Sequence, residues 1–282
     1  TCGWAWTSTD AVRLCGRVVD GGNGPGNGND SGNGTGELVA YLVPYVGSID
    51  GGINPGYFDF YDILVDWHDA TGIPVGLSFY PNTMGNSRFN QIIGRMYSSP
   101  NIELILKGDN IIDGVPIHTM NYAEVQSVVQ GWHSRYRDEM ASVGYHNVRM
   151  PVTYNQNNGR FTPTIRNLLR DMGYKFYFEQ YLSELGHVEP LPDFDITQYS
   201  ATLTKSGHAG PAHEFYTPEE YIQNVLSYYK STMLYINGTK VIPMLSHAQD
   251  FRVSNSVQDI DQEKWGIYKT MLLMADADPR IK

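Results

Sequence analysis

Cysteine is nearly missing from this chain: 2 among 282 residues, Cys2 and Cys15. So few thiols exclude a disulfide-dense miniature scaffold, and a chain of this length can bury a core without such staples. Basic residues are the minority, 20 Lys and Arg against 30 Asp and Glu, for a formal net charge of −10. Such a balance argues against a general nucleic-acid binder, which needs a basic face to displace phosphate counterions. It argues equally against docking on anionic lipid. No window approaches the roughly 20 apolar residues of a membrane span. The start lacks the basic-then-apolar order of a signal peptide, and Thr1 in place of Met reads as a processed product or a fragment. Phosphate and acyl-transfer signatures are missing too. No Gly-rich loop with Lys-Ser/Thr opens a helix, and no Gly-x-Ser-x-Gly elbow occurs.

What the chain has in quantity is Tyr, 20 residues, and Gly, 29 residues, in a sequence 41% hydrophobic, 12% aromatic and 18% charged. Aromatic faces that stack on pyranose rings and amides that bond hydroxyls suit sugar handling. The glycines are unevenly spread. Gly21 to Gly36 reads GGNGPGNGNDSGNGTG, without one apolar residue. It cannot bury enough surface to offset its ordering entropy, so it is expected to be a tether with an rms reach of roughly 20–24 Å. Ahead of it, residues 1–20 hold both cysteines and the Trp4-x-Trp6 pair. An even Cys count in so short a segment favours one disulfide, Cys2 with Cys15, and an oxidising compartment, secreted or periplasmic. The segment is either a stapled hairpin packed on the main body or the remnant of an upstream module. A cysteine nucleophile is disfavoured, because both thiols lie beyond the tether. The Asn-x-Ser/Thr matches at Asn29, Asn33 and Asn237 matter only if the source glycosylates secreted proteins.

From Glu37 to the end, strand-like and helix-like segments alternate. Strands are expected at Leu38–Val46, Ile73–Tyr80, Ile102–Leu106, Val148–Pro151, Tyr174–Phe178 and Val241–Ser246. Helices are expected at Phe58–Thr71, stopped by Gly72, and at Arg88–Tyr97, Asn121–Val143, Thr162–Met172, Thr217–Tyr235 and Asp261–Ala275. Thr217-Pro218-Glu219-Glu220 is a helix-start signature. Such alternation predicts an α/β fold with a mostly parallel sheet, and a distorted (β/α) barrel is the leading architecture. Its site belongs at the C-terminal ends of the strands.

Titratable and polar residues recur at those ends: Asp50 in Ser48-Ile49-Asp50-Gly51-Gly52, Lys107 and Asp109 in Lys107-Gly108-Asp109-Asn110, and Arg149 with Tyr154 after the fourth strand. Glu179 and Tyr181 follow the fifth strand, and His247 with Asp250 the last. Tyr80, Tyr154 and Tyr181 are the aromatics placed to stack on sugars.

In this order the segments resemble the polysaccharide deacetylases, carbohydrate esterases with a NodB-type homology domain. Ser-Ile-Asp-Gly-Gly is similar to the family's Thr-Phe-Asp-Asp-Gly, which places Asp50 as catalytic base and puts Gly51 where the metal-binding Asp stands. Gly72 to Phe79 resembles the following strand, and Val148-Arg149-Met150-Pro151 the Arg-x-Pro motif, which implies a catalytic supporting role for Arg149. Leu168 to Tyr174 is similar to the helix-Gly-Tyr step after it. Pro243-Met244-Leu245-Ser246-His247 resembles the late Leu-x-His motif, implying His247 as general acid.

One departure stands out. The family's His-x3-Ser/Thr-x2-His helix, source of two metal ligands, should follow Leu106, and the chain has no His there until His118. The expectation is therefore no metal; Asp50, Asp109 and His118 are the one alternative set of donors for a divalent ion such as zinc. His68, His133, His146, His187, His208 and His213 read as surface or structural, with His208 and His213 at a possible groove edge. Three functions stay open. The first is a deacetylase-like hydrolase using Asp50, His247 and Arg149, with Lys107, Asp109, Tyr154, Glu179 and Tyr181 binding substrate. The second is a metal-independent lyase or glycoside hydrolase, and the third a glycan-binding module without chemistry. The expected partner is a polysaccharide or oligosaccharide, the expected state a monomer.

Overall fold

The structure is a computed structural model, and it describes residues 41–52, 56–156, 162–179, 193–195, 201–205, 211–231, 235–236, 239–254 and 259–281. The Cys2–Cys15 pair, the tether over 21–36, Tyr181, His187 and His208 lie outside them.

Among the described residues, eleven strands and six helices run in chain order. They are β1 (Tyr41–Ile49), α1 (Gly56–Thr71), β2 (Val75–Phe79), α2 (Ser87–Ser98), β3 (Ile102–Gly108), β4 (Ile111–Ile112), β5 (Val115–Pro116) and α3 (Tyr122–Ser142). Then follow β6 (Thr153–Gln156), α4 (Pro163–Asp171), β7 (Phe176–Glu179), β8 (Asp193–Asp195), β9 (Ala201–Thr202), α5 (Pro218–Ser231), β10 (Tyr235–Ile236), β11 (Thr239–His247) and α6 (Gln262–Ala277). The main sheet has the order β10-β11-β1-β2-β3-β6-β7-β8, with β9 also on β11. Every pairing along it is parallel except β10 with β11. This is the α/β architecture the alternation predicts, a parallel sheet with helical crossovers; its hydrogen-bonded path does not close among the described residues.

Local chemistry explains the boundaries. Asn86 caps α2 by accepting from the amides of Arg88 and Phe89, and Asn121 and Glu124 form a reciprocal capping box on α3. Thr217 and Glu220 do the same for α5: the Thr217 amide donates to the Glu220 carboxylate and the Glu220 amide to the Thr217 hydroxyl. Gly72 and Gly173 take positive φ, 73° and 91°, after α1 and α4, which ends each helix where the sequence placed its stop. The strand expected at Val148–Pro151 forms instead at Thr153–Gln156. Pro151 has no amide to give the ladder, so regular pairing starts beyond it, with Thr153 opposite Ile105.

Apolar faces of the helices close over the sheet. On one side, Phe60 of α1 stacks on Phe251 with centroids 5.0 Å apart, and Trp265 stacks on Tyr268 at 5.3 Å. Phe251 also meets Tyr268 edge-on at 5.2 Å. These rings pin the single turn 248–251, which follows β11, against α1 and α6. The imidazole of His68 joins the same helices, bonded to the Ile73 carbonyl at 2.7 Å and the Tyr268 hydroxyl at 3.1 Å. On α2, a Cβ at buried Gly94 would lie 2.2 Å from the ring of Tyr145. Gly94→Ala is therefore expected to cost about 1–3 kcal/mol, read as a lower urea midpoint with an unchanged m-value.

Candidate functional site

Four neighbouring parallel strands, β11-β1-β2-β3, deliver their C-terminal ends side by side. His247 ends β11, Asp50 follows β1, Tyr80 follows β2, and Lys107 is the last residue but one of β3, with Asp109 just beyond. The strand-end rule thus brings Asp50, Lys107, Asp109 and His247 together from segments up to 200 residues apart.

The loops beneath them are cross-bonded. The Asp50 amide donates to the hydroxyl of buried Tyr61 at 3.1 Å, and its carboxylate accepts from the Gly52 amide at 2.7 Å. The Gly51 amide donates to the Thr83 hydroxyl at 3.0 Å, and that hydroxyl donates to the Tyr80 carbonyl at 2.9 Å. The exits of β1 and β2 are therefore joined by hydrogen bonds. Asn82 donates its side-chain amide to the Asp109 carboxylate. From β6, Gln156 donates to the Asp109 carbonyl at 2.8 Å and accepts from the Tyr154 hydroxyl at 2.6 Å. Gly108 has no room for a side chain, because a Cβ would stand 2.0 Å from the Tyr154 hydroxyl and 2.7 Å from Trp132.

Lys107 is the unusual group. Its residue is 5% exposed, and its ammonium lies 5.1 Å from the centre of the Tyr80 ring. Burial lowers its pKa to about 8, opposed by the charges of Asp109 and Asp50. Displacement from 10.5 to about 8 corresponds to on the order of 3 kcal/mol against the charged form. An unfolded chain binds more protons than the folded one between those values, so this deficit is full below pH 8 and fades as pH rises toward 10.5. Asp109 is half-buried, and desolvation raises its carboxyl above the ordinary range, with the Asp50 charge adding and the Asn82 hydrogen bond and Lys107 opposing. His247 keeps 22% of its side-chain surface exposed, and its ring reaches over Gly47, where a Cβ would be 3.0 Å from Cδ2. Burial first and the Lys107 cation second push its pKa down to about 3. The Asp250 carboxylate, which accepts from the His247 amide at 2.7 Å, stands 3.9 Å from Nδ1.

Several expectations change. His247 is neutral at physiological pH, so the free protein does not start with the proton that the role of general acid requires. Arg149 sits before β6, whereas the site lies where β6 ends; Arg149 is exposed and its amide donates to the Tyr97 hydroxyl at 3.3 Å, at the opposite end of the strands. Tyr154 is fully buried between Trp132 and Tyr174, a core ring and not a stacking platform. Tyr80 is 8% exposed and faces Lys107. The backbone of Glu179 ends β7. His68 and His133, the latter bonded to the Tyr174 hydroxyl at 2.6 Å, are structural as expected. Asn82, Thr83 and Gln156 are the residues that sequence reasoning missed. The strand-end rule, applied to β2 and to the corrected β6, points to all three.

The metal implied by the resemblance meets a donor set that does not fit it. A Cβ at Gly51 would lie 2.3 Å from the Phe89 ring and 2.6 Å from the Thr83 carbonyl oxygen, so the position is closed to a carboxylate. His118 is exposed in the turn Ile117–Thr119. Among the described residues no three His, Cys, Asp or Glu side chains are grouped to hold an ion, so Asp50, Asp109 and His118 are not the substitute set.

Among solved structures, the chain is similar to a CE4 esterase from Streptococcus mutans, with a TM-score of 0.51 and 10% identity over 87% of this chain and 85% of that one. The chain has the CE4 esterase fold. Similarity extends to a protein from Mycobacterium smegmatis assigned as a polysaccharide deacetylase, at TM-score 0.48, 13% identity and 87% and 86% coverage. It extends also to a CE4 family pseudoenzyme from Bacillus anthracis, at 0.44, 10%, and 87% and 63%. The comparison of folds rests on the first. No protein-family model matches the sequence, and no curated protein matches it. On this fold Asp50 stands just beyond β1, where its charge acts on Lys107 and Asp109.

Two outcomes follow. Gly51→Asp is expected to destabilise the fold by about 1–3 kcal/mol in thermal unfolding and to acquire no stoichiometric metal by mass spectrometry. In an NMR titration, the His247 ring protons should stay at their neutral-form shifts from about pH 8 to about pH 5, where an ordinary imidazole titrates.

Proposed function

We propose that this chain is a secreted carbohydrate-active hydrolase that removes acyl groups from a polysaccharide, with Asp50 as the base that takes a proton from the attacking water. One observation carries the reading: Asp50 emerges from the end of β1, anchored through Tyr61 and Gly52, beside Lys107 and Asp109. The CE4 esterase fold supports the substrate class. Arg149, Tyr154 and the general-acid role of His247 fall out of the mechanism, and Lys107, Asp109, Tyr80 and Asn82 become the walls of the site. A neutral imidazole in a polar rim still serves as a hydrogen-bond partner to a sugar hydroxyl.

A lyase reading has one observation in its favour, since a lysine titrating near pH 8 is within reach of proton abstraction at mildly alkaline pH. The charges of Asp109 and Asp50 favour the ammonium form of Lys107, which favours the esterase reading. A screen of acetylated xylan, chitin oligomers and alginate separates the two: acetate release marks the hydrolase, an unsaturated uronate product the lyase, and binding without product the glycan-binding module. In the hydrolase, Asp50→Asn is expected to lower kcat about 10²–10⁴-fold with little change in KM, the usual scale for a lost general base. Full activity in that variant would contradict the assignment.

A further inference from the structure

The disagreement between this site and a metal site has a definite chemical form. At the end of β3 the chain supplies a buried lysine, and next to Asp50 it closes the backbone at Gly51. The result is a buried ammonium against the Tyr80 face, with the charges of Asp109 and Asp50 favouring its protonated form. A divalent ion placed beside that ammonium would meet like charge at short range with little solvent to screen it. Ammonium and divalent cation are alternatives here, not companions.

We propose that the Lys107 ammonium is a catalytic residue, receiving the carbonyl oxygen of the substrate's acyl group and carrying the negative charge that develops there, so that acyl removal in this chain proceeds without a divalent cation. This rests on the hydrolase reading given above. The step balances within the named groups. Asp50 takes a proton from water as the water oxygen forms a bond to the acyl carbon, and the carbonyl π pair moves to oxygen as an oxyanion paired with the ammonium. When the oxyanion collapses, the bond from acyl carbon to the sugar oxygen or nitrogen breaks, and the proton held by Asp50 goes to that leaving atom. Lys107 remains protonated throughout, and the products are a free sugar hydroxyl or amine and a carboxylic acid, which gives its remaining proton to solvent. The geometry suits a preorganised charge of this kind. Lys107 is held on a central strand, and Gly108 behind it cannot accept a side chain without displacing Tyr154 and Trp132. Its charge is therefore in place before substrate arrives, which is the condition for electrostatic stabilisation of an oxyanion. Asp109, whose carboxylate accepts from the Asn82 amide, supplies a counter-charge to Lys107.

The test uses the full chain and an acetylated polysaccharide from which it releases acetate. Acetate release is measured with EDTA and with added zinc, for the unaltered protein and for Lys107→Met and Lys107→Arg, with circular dichroism melting to check that each variant folds. Alongside, binding of a phosphonate analogue of the acylated sugar and of the unacylated oligosaccharide is measured by calorimetry. The expected result is activity indifferent to EDTA and zinc, and a loss of about 10²–10³-fold in kcat for Lys107→Met, the scale of losing one oxyanion donor. Lys107→Arg should keep part of that activity. The phosphonate should bind about 100-fold more weakly to Lys107→Met, with binding of the unacylated oligosaccharide unchanged. Acetate release that EDTA abolishes and zinc restores would overturn the inference and leave the hydrolase reading standing. A folded Lys107→Met with full activity, or with unchanged phosphonate binding, would do the same. Release of no acyl group from any substrate, with or without metal, would overturn both.

Discussion

Everything at the open end of this sheet depends on keeping one ammonium out of water. An isolated cation cannot be buried without a large desolvation cost, and here that cost is met in part by Asp50, Asp109 and the face of Tyr80. The consequences spread outward. The same charge helps to hold His247 neutral, opposes the rise of the Asp109 carboxyl, and removes the electrostatic reason for a metal. A group that weakens the fold at neutral pH yet sits in a rigid, well-packed position is characteristic of a functional site.

The scaffold makes this arrangement stiff. Four adjacent parallel strands end together, and their exit loops are tied by hydrogen bonds from Gly51 to Thr83, from Thr83 to Tyr80 and from Gln156 to Asp109. Beneath His247, the turn 248–251 is locked by Phe251 among Phe60, Trp265 and Tyr268. Aromatic packing far from the rim therefore fixes where the imidazole and Asp250 stand. A CE4 esterase fold can keep this framework while the charges on it change, because framework and charges are set by different residues.

Much of this was legible in the sequence, for reasons that can be named. Helix periodicity, the Thr217 start signal and the Gly72 and Gly173 stops are local features, and the structure keeps them. The rim was legible through one rule, that a parallel sheet collects its function at the strand ends, and that rule found Asp50, Lys107, Asp109 and His247. The failures are non-local. Tyr154 looked like a sugar platform, but β6 is buried at all four residues, as a strand of a covered parallel sheet is, and alternation then says nothing about exposure. Pro151 shifted that strand five residues along the chain, which left Arg149 at the wrong end of the strands. His247 is held neutral by burial first and by Lys107 second, and Lys107 lies three strands and 140 positions away. The β4–β5 hairpin went unread although Asp113-Gly114, both at positive φ, is its turn signal.

Whether Lys107 is a buried cation with its proton affinity lowered by desolvation is tested most directly by its own titration. Nitrogen-15 NMR of side-chain-labelled lysine in the intact chain would resolve one ammonium from the rest. A midpoint near pH 8 is expected for the signal that disappears in Lys107→Met. A midpoint at 10.5, the ordinary value for lysine in water, would contradict it.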